Sequence, residues 1–139
     1  MPIITERLTI ATQGNTDVVD ITAEVQKRVD AAGYRRGLVT VFSPGSTGGI
    51  TTLEYEPGLV ADFKAALERA APADLHYEHD QRWRDNNGYS HVRAALVGPS
   101  LTVPVVDGRL TLGTWQQIVV VDCDNRARSR NVIVQILGE

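Results

Sequence analysis

The chain has 139 residues, 42% of them hydrophobic and 22% charged, a length and balance that suit one globular domain spanning 1–139. Its formal net charge of −3 excludes the broad basic footprint of a nucleic-acid binder, and no apolar run approaches the ~20 residues of a membrane helix. The start MPIITERLTI lacks the basic-then-apolar order of a secretory signal, and the single cysteine, Cys123, leaves no intrachain disulfide, so a cytoplasmic protein is expected.

In chain order, Ile3–Thr12 reads as a strand, with Ile4, Leu8 and Ile10 among polar neighbours. After Gly14, residues 20–22 form a helix entry at which Thr22 can cap free amides. Val25, Val29 and Ala32 recur at helical spacing, and Gly33 can close the helix in a left-handed conformation. Residues 38–42 predict a strand that runs into the turn-rich loop 43–49, and residues 50–55 predict another. Pro57 fits a first helical turn. Leu59, Val60, Phe63 and Leu67 then form one apolar stripe, with Asp62 at its edge, and Pro72 ends the helix. Residues 73–88 are polar and aromatic without a period, which predicts a long loop of the kind that often carries function. Residues 91–96 are short enough to be helix or strand.

The C-terminal part is plainer. Leu101, Val103 and Val105 alternate, Asp107-Gly108 is a type I′ turn signal, and Leu110 and Leu112 alternate back. Residues 118–121 are continuously apolar, as in a strand covered on both faces, and Val132, Val134 and Ile136 finish the sheet. The fold class expected is β-rich α+β, with layered sheets and two or three helices packed outside.

Several ordered motifs resemble the YjbQ family: Tyr77-Glu78-His79, Trp83-Arg84-Asp85, Asn87-Gly88-Tyr89-Ser90-His91, Gly98-Pro99-Ser100, Asp107-Gly108-Arg109-Leu110 and Gly113-Thr114-Trp115-Gln116. The similarity runs from about Ile21 to Gly138. It implies a β-sandwich with added helices, usually a homotrimer, and weak thiamine-phosphate-synthase activity, in which a pyrimidine pyrophosphate condenses with a thiazole phosphate. One position departs from the pattern. Many members carry Pro-His-Thr-Thr-Ala where this chain has Pro44-Gly45-Ser46-Thr47-Gly48, so a histidine that acts elsewhere is here Gly45.

Four constellations can carry chemistry. His79 and His91, with the acids Glu54, Asp62 and Asp85, can hold a divalent metal (zinc or magnesium) or act as acid and base, His91 being a ligand or proton carrier. The plainer reading is a hydrogen-bonded loop–sheet junction. Ser46 and Thr47 sit among glycines that can turn amides toward a phosphate, although no Walker lysine follows; a simple turn is the alternative. Arg126, Arg128 and Arg130 share one face if extended, and Arg130 is the candidate phosphate clamp, against a solvated sheet edge. Trp115 with Gln116 can hold a flat heterocycle, or be core or interface. Cys123 reads as structural, disfavoured as a thiolate by an aspartate on either side. The activities these support are a thiamine-phosphate-synthase-like transferase, a metal-dependent phosphate-ester hydrolase, or a non-catalytic trimer binding a small phosphorylated molecule or a metal.

Overall fold

The computed structural model describes residues 2–139, which form eight strands and four helices. They are β1 (Ile3–Thr12), β2 (Asp17–Asp20), α1 (Thr22–Ala32), β3 (Arg36–Phe42), β4 (Gly48–Leu53) and α2 (Pro57–Ala70). The second half adds α3 (Glu78–Trp83), α4 (Gly88–Val97), β5 (Ser100–Val106), β6 (Arg109–Leu110), β7 (Gln117–Asp122) and β8 (Arg128–Gly138). A five-stranded sheet runs β1-β8-β3-β5-β6 and a three-stranded sheet β2-β7-β4, with every neighbouring pair antiparallel. The strand-rich α+β class read from the sequence is the fold found, with four helices rather than two or three.

Alternation decides which face of the larger sheet is inside. Val39, Val41, Val103, Val105, Val132, Val134 and Ile136 are buried against Ile50, Ile118 and Val120 of the smaller sheet and against Val25 and Val29 of α1. The smaller sheet has a second covered face. Val18, Val119, Val121 and Cys123 pack under Leu67, with Val60 and Phe63 of α2 and Val97 of α4 beside them. Residues of β7 therefore meet apolar neighbours on both sides, which is why their sequence is unbroken Ile-Val-Val-Val.

The boundaries correct several expectations. Thr22 does not cap α1: Asp20 Oδ1 accepts from the Thr22 amide at 2.9 Å, while the Thr22 hydroxyl accepts from Ile118 N at 2.8 Å. Gly33 does close α1, at φ 72°. Residues 73–88 contain α3, whose six residues bury none of their own and so leave no apolar period. Residues 91–96 are helical. β2 gives no signal of its own, and the strand after the Asp107-Gly108 turn stops at Leu110, leaving Leu112 outside it. Among the described residues no helix is long and apolar enough to cross a membrane.

Strand direction has a consequence for function. Gly48 of β4 faces Asp122 of β7, and Leu53 faces Gln117. At about 3.3 Å per residue, the two ends of this pair stand roughly 17 Å apart.

Candidate functional site

At the Gly48–Asp122 end, the apolar run of β7 gives way to Asp122-Cys123-Asp124, and both carboxylates are fully buried. A buried carboxylate must be met by donors. Asp122 receives Arg130 Nε at 2.9 Å and Nη2 at 2.8 Å, the Thr12 hydroxyl, and the Asp124 amide at 3.0 Å. Asp124 receives Arg128 through Nε at 2.8 Å and Nη2 at 2.6 Å, and the Thr47 hydroxyl at 3.2 Å. Because β7 and β8 lie in different sheets, these two ion pairs staple the sheets together beneath the 43–47 loop. Burial opposes the charge on each aspartate. The arginine bonds and backbone amides together outweigh it, so both carboxyls stay below their ordinary range. The Asp122 hydrogen bond in turn pushes Arg130 further up.

Above this floor, α3 and α4 bring the histidines together. Gly88 permits the approach, since a Cβ there would stand 2.6 Å from the Tyr77 Cβ. Asp80 Oδ1 accepts from the Gly88 amide at 2.9 Å and ties the helices. The ring centroids of His79 and His91 are 4.3 Å apart, tilted by 41°. His79 Nδ1 lies 3.5 Å from both Asp80 Oδ1 and Asp85 Oδ1, and the ligand atoms of these three residues fall within 4.8 Å of one another. Ligands at the ~2.0–2.2 Å bond lengths of tetrahedral zinc stand roughly 3.4 Å apart, so the two 3.5 Å spacings match such an ion and the spacing between the two carboxylates must close toward it. His91 is outside that converging group. Asn87 lies between Asp85 and Asp124: its amide nitrogen reaches Asp124 Oδ1 at 3.4 Å in one orientation and Asp85 Oδ1 at 2.9 Å in the other.

Floor and rim enclose a cleft of ≈ 490 Å³ that takes in Ser46, Thr47, His79, Asp85, His91 and Arg130, together with Trp83, Asn87 and Arg128. Six of the sequence candidates thus converge. The other four do not. Glu54 follows the far end of β4 and lines a different groove with Trp115, and Asp62 is exposed on the outer side of α2. Gln116 precedes β7, donating to Thr52 Oγ1 at 3.3 Å and accepting from Gly113 N at 3.0 Å. Trp115 is 72% exposed and so is not core within the chain.

Within the cleft two further readings change. The Thr47 hydroxyl proton already goes to Asp124 and its oxygen accepts from Arg130 Nη2 at 2.8 Å, so of the two hydroxyls that line the cleft from that loop Ser46 is the free one. The arginines do not form a solvated edge: β8 is flanked by β1 and β3, and Arg126 precedes the strand, exposed. Sequence reasoning passed over Asp80, Asn87 and the anchoring of Arg128 by Asp124. The aspartates that break the apolar run at 122 and 124 were the available sign. Cys123 is structural, its thiol pushed up to about 12 chiefly by burial, with both aspartates adding to it.

The profile of the family described as UPF0047 protein YjbQ-like matches residues 6–139. The chain belongs to that family. A UPF0047 protein of Methanothermobacter thermautotrophicus is 38% identical over all of this chain and 95% of its own. One from Archaeoglobus fulgidus is 38% identical over 94% of this chain and 98% of its own. Among solved structures, a YbjQ-like protein of unknown function from Sulfolobus solfataricus superposes with TM-score 0.94 at 30% identity, covering 99% of each chain. A hypothetical protein from Aeropyrum pernix gives 0.91 at 32%, covering 98% of this chain and 99% of its own.

Proposed function

We propose that this UPF0047 chain is a divalent-metal-dependent enzyme that hydrolyses a small phosphate ester in the cleft between the Gly45–Thr47 loop and helices α3 and α4. The observation that carries the reading is the meeting of His79, Asp80 and Asp85 within 4.8 Å, with His79 and Asp85 on a cleft that also contains two arginines. Bound there, a zinc or magnesium ion would supply Lewis-acid polarisation of a phosphoryl oxygen. Arg128 and Arg130 hold the phosphate oxygens, Ser46 adds a hydroxyl, and His91 carries the proton. Water attacks phosphorus as the ester P–O bond breaks. His91 takes the proton of the water and returns it to the departing alkoxide, leaving alcohol and inorganic phosphate.

Condensation of two phosphorylated heterocycles, as in thiamine-phosphate synthesis, is the second reading. Trp83 favours it, because an exposed indole on the cleft wall offers a stacking surface. It ranks lower because Trp115 and Gln116, which would hold the second ring, lie at the far end of β7. A homotrimer is part of the proposal, supported by an exposed apolar row across the outer face of the larger sheet. So is a cytoplasmic setting, supported by the lone buried thiol.

The test is elemental analysis of untreated protein with turnover of p-nitrophenyl phosphate, for wild type and His79→Ala. About one zinc or magnesium ion per chain and phosphate release that falls at least tenfold in the variant are expected. Phosphate release only when a thiazole partner is added would favour condensation. A retained ligand without any turnover would leave a binding protein.

A further inference from the structure

The two cleft arginines are held in the same way: buried aspartates take Nε and Nη2 of each. Among the described residues Nη1 of neither has a hydrogen-bond partner. Arg130 is 8% exposed, and its Nη1 lies 3.4 Å from the point where a Gly45 Cβ would stand, so a nearly buried guanidinium presents free donors beside the Gly45–Thr47 loop. Beside that loop lies a second hollow of ≈ 310 Å³ that shares Gly45, Ser46 and His91 with the cleft. The remaining walls are Gly48, Ala94, Ala95 and Pro99, which bring no charge and no side-chain donor. The backbone at Gly45 is at φ 113°, a region that L side chains rarely adopt, so the boundary shared by the two spaces is lined by a residue that cannot readily be enlarged in this conformation.

We infer that the ligand of the proposed site is a phosphate monoester of an apolar or aromatic group, its oxyanion on Arg128 and Arg130 Nη1 and its organic part in the hollow between Gly48 and helix α4. The inference rests on the cleft being the ligand site, and it names the class of ligand. The arginine pair discriminates by charge and geometry and takes any phosphate alike. Selection falls to the part of the hollow walled by Gly48, Ala94, Ala95 and Pro99, where a hydroxylated or charged group would lose water without meeting a polar side chain. Glycerol phosphate and similar polar esters are therefore poor ligands.

Phosphonates, which carry no ester bond to break, separate binding from turnover. Calorimetric titration of the protein as purified would compare phenylphosphonate with methylphosphonate. Burial of the ring should tighten binding about tenfold or more. Ala95→Leu, an exposed helix position that narrows the hollow, should bring phenylphosphonate to the methylphosphonate affinity and leave the latter unchanged. Arg128→Gln should weaken both alike. Equal affinity for the two in wild type, no binding of either, or an Ala95→Leu effect shared by both would overturn the inference. If instead the hydrolase reading fails, metal and turnover are absent while the phenyl preference remains.

Discussion

Arg130 carries two duties that compete for its donors. Asp122 and Thr47 take Nε and Nη2, and this fixes the direction in which Nη1 points. Arg130→Met leaves Asp122 ionised and unpaired in the core, a change that costs about 3–5 kcal/mol, whereas Asp122→Asn combined with Arg130→Met removes the charge as well and recovers part of it. Urea unfolding of the single and double variants measures the difference. The pair also sets an acid limit. Asp122 and Asp124 titrate lower when folded than when unfolded, so they stabilise the fold fully above the ordinary carboxylate range of about 4. That contribution drains away as pH falls through their folded values. The urea midpoint should be level from pH 7 to about pH 5 and drop below about pH 4, less steeply in Asp122→Asn. Cys123, with its thiol near 12, should stay unlabelled by iodoacetamide at pH 8 until urea unfolds the chain. The sequence discloses little at this scale. Eight positions separate Asp122 from Arg130, across a turn and into another sheet, and no local spacing rule connects them.

Elements decide which candidates meet. α3 and α4 approach closely because position 88 is a glycine, and Asp80 fastens the approach through the Gly88 amide. Gly88→Ala should force Tyr77 and the start of α3 outward. The expected result is a loss of about 1–3 kcal/mol by urea unfolding and metal affinity weakened roughly 10–100-fold by competition with a chelator, since the ligands lose their support. Periodicity reveals α2 and β7 because each buries a regular set of side chains. It conceals α3, whose six residues bury none of their own. The pairing of β4 with β7 explains the separated candidates. Glu54 and Asp85 are both acids in polar stretches, but β4 carries Glu54 away from the end where Gly48 meets Asp122. Sequence composition has no access to that direction; the antiparallel register supplies it.

At the scale of the molecule, sheet layering was legible because alternation in β3, β5 and β8 and the unbroken run in β7 each state how many faces are covered. What lies outside the larger sheet was not. Its outer face aligns Ile3, Leu137, Leu38 and Pro104 across four strands, with Ile3 and Leu38 59% and 46% exposed. This exposed apolar row is the surface that the proposed homotrimer would cover. The homotrimer part of the proposal predicts three times the chain mass by native mass spectrometry, and Leu38→Glu should shift it toward the mass of one chain if this face is the contact. Arg93 holds the helical layer to the rest: it bonds Ala71 O and Thr16 Oγ1 at 2.9 Å each and pairs with Glu68. It thereby joins α4 to α2 and to the turn before β2.

Whether a metal sits between α3 and the loop that follows it is the question on which the functional account stands. Diffraction from crystals soaked in zinc, recorded on both sides of the zinc absorption edge, answers it. One anomalous peak per chain is expected, about 2 Å from His79 Nδ1, Asp80 Oδ1 and Asp85 Oδ1. A map with no peak at those three atoms, or with its zinc elsewhere in the chain, would contradict it.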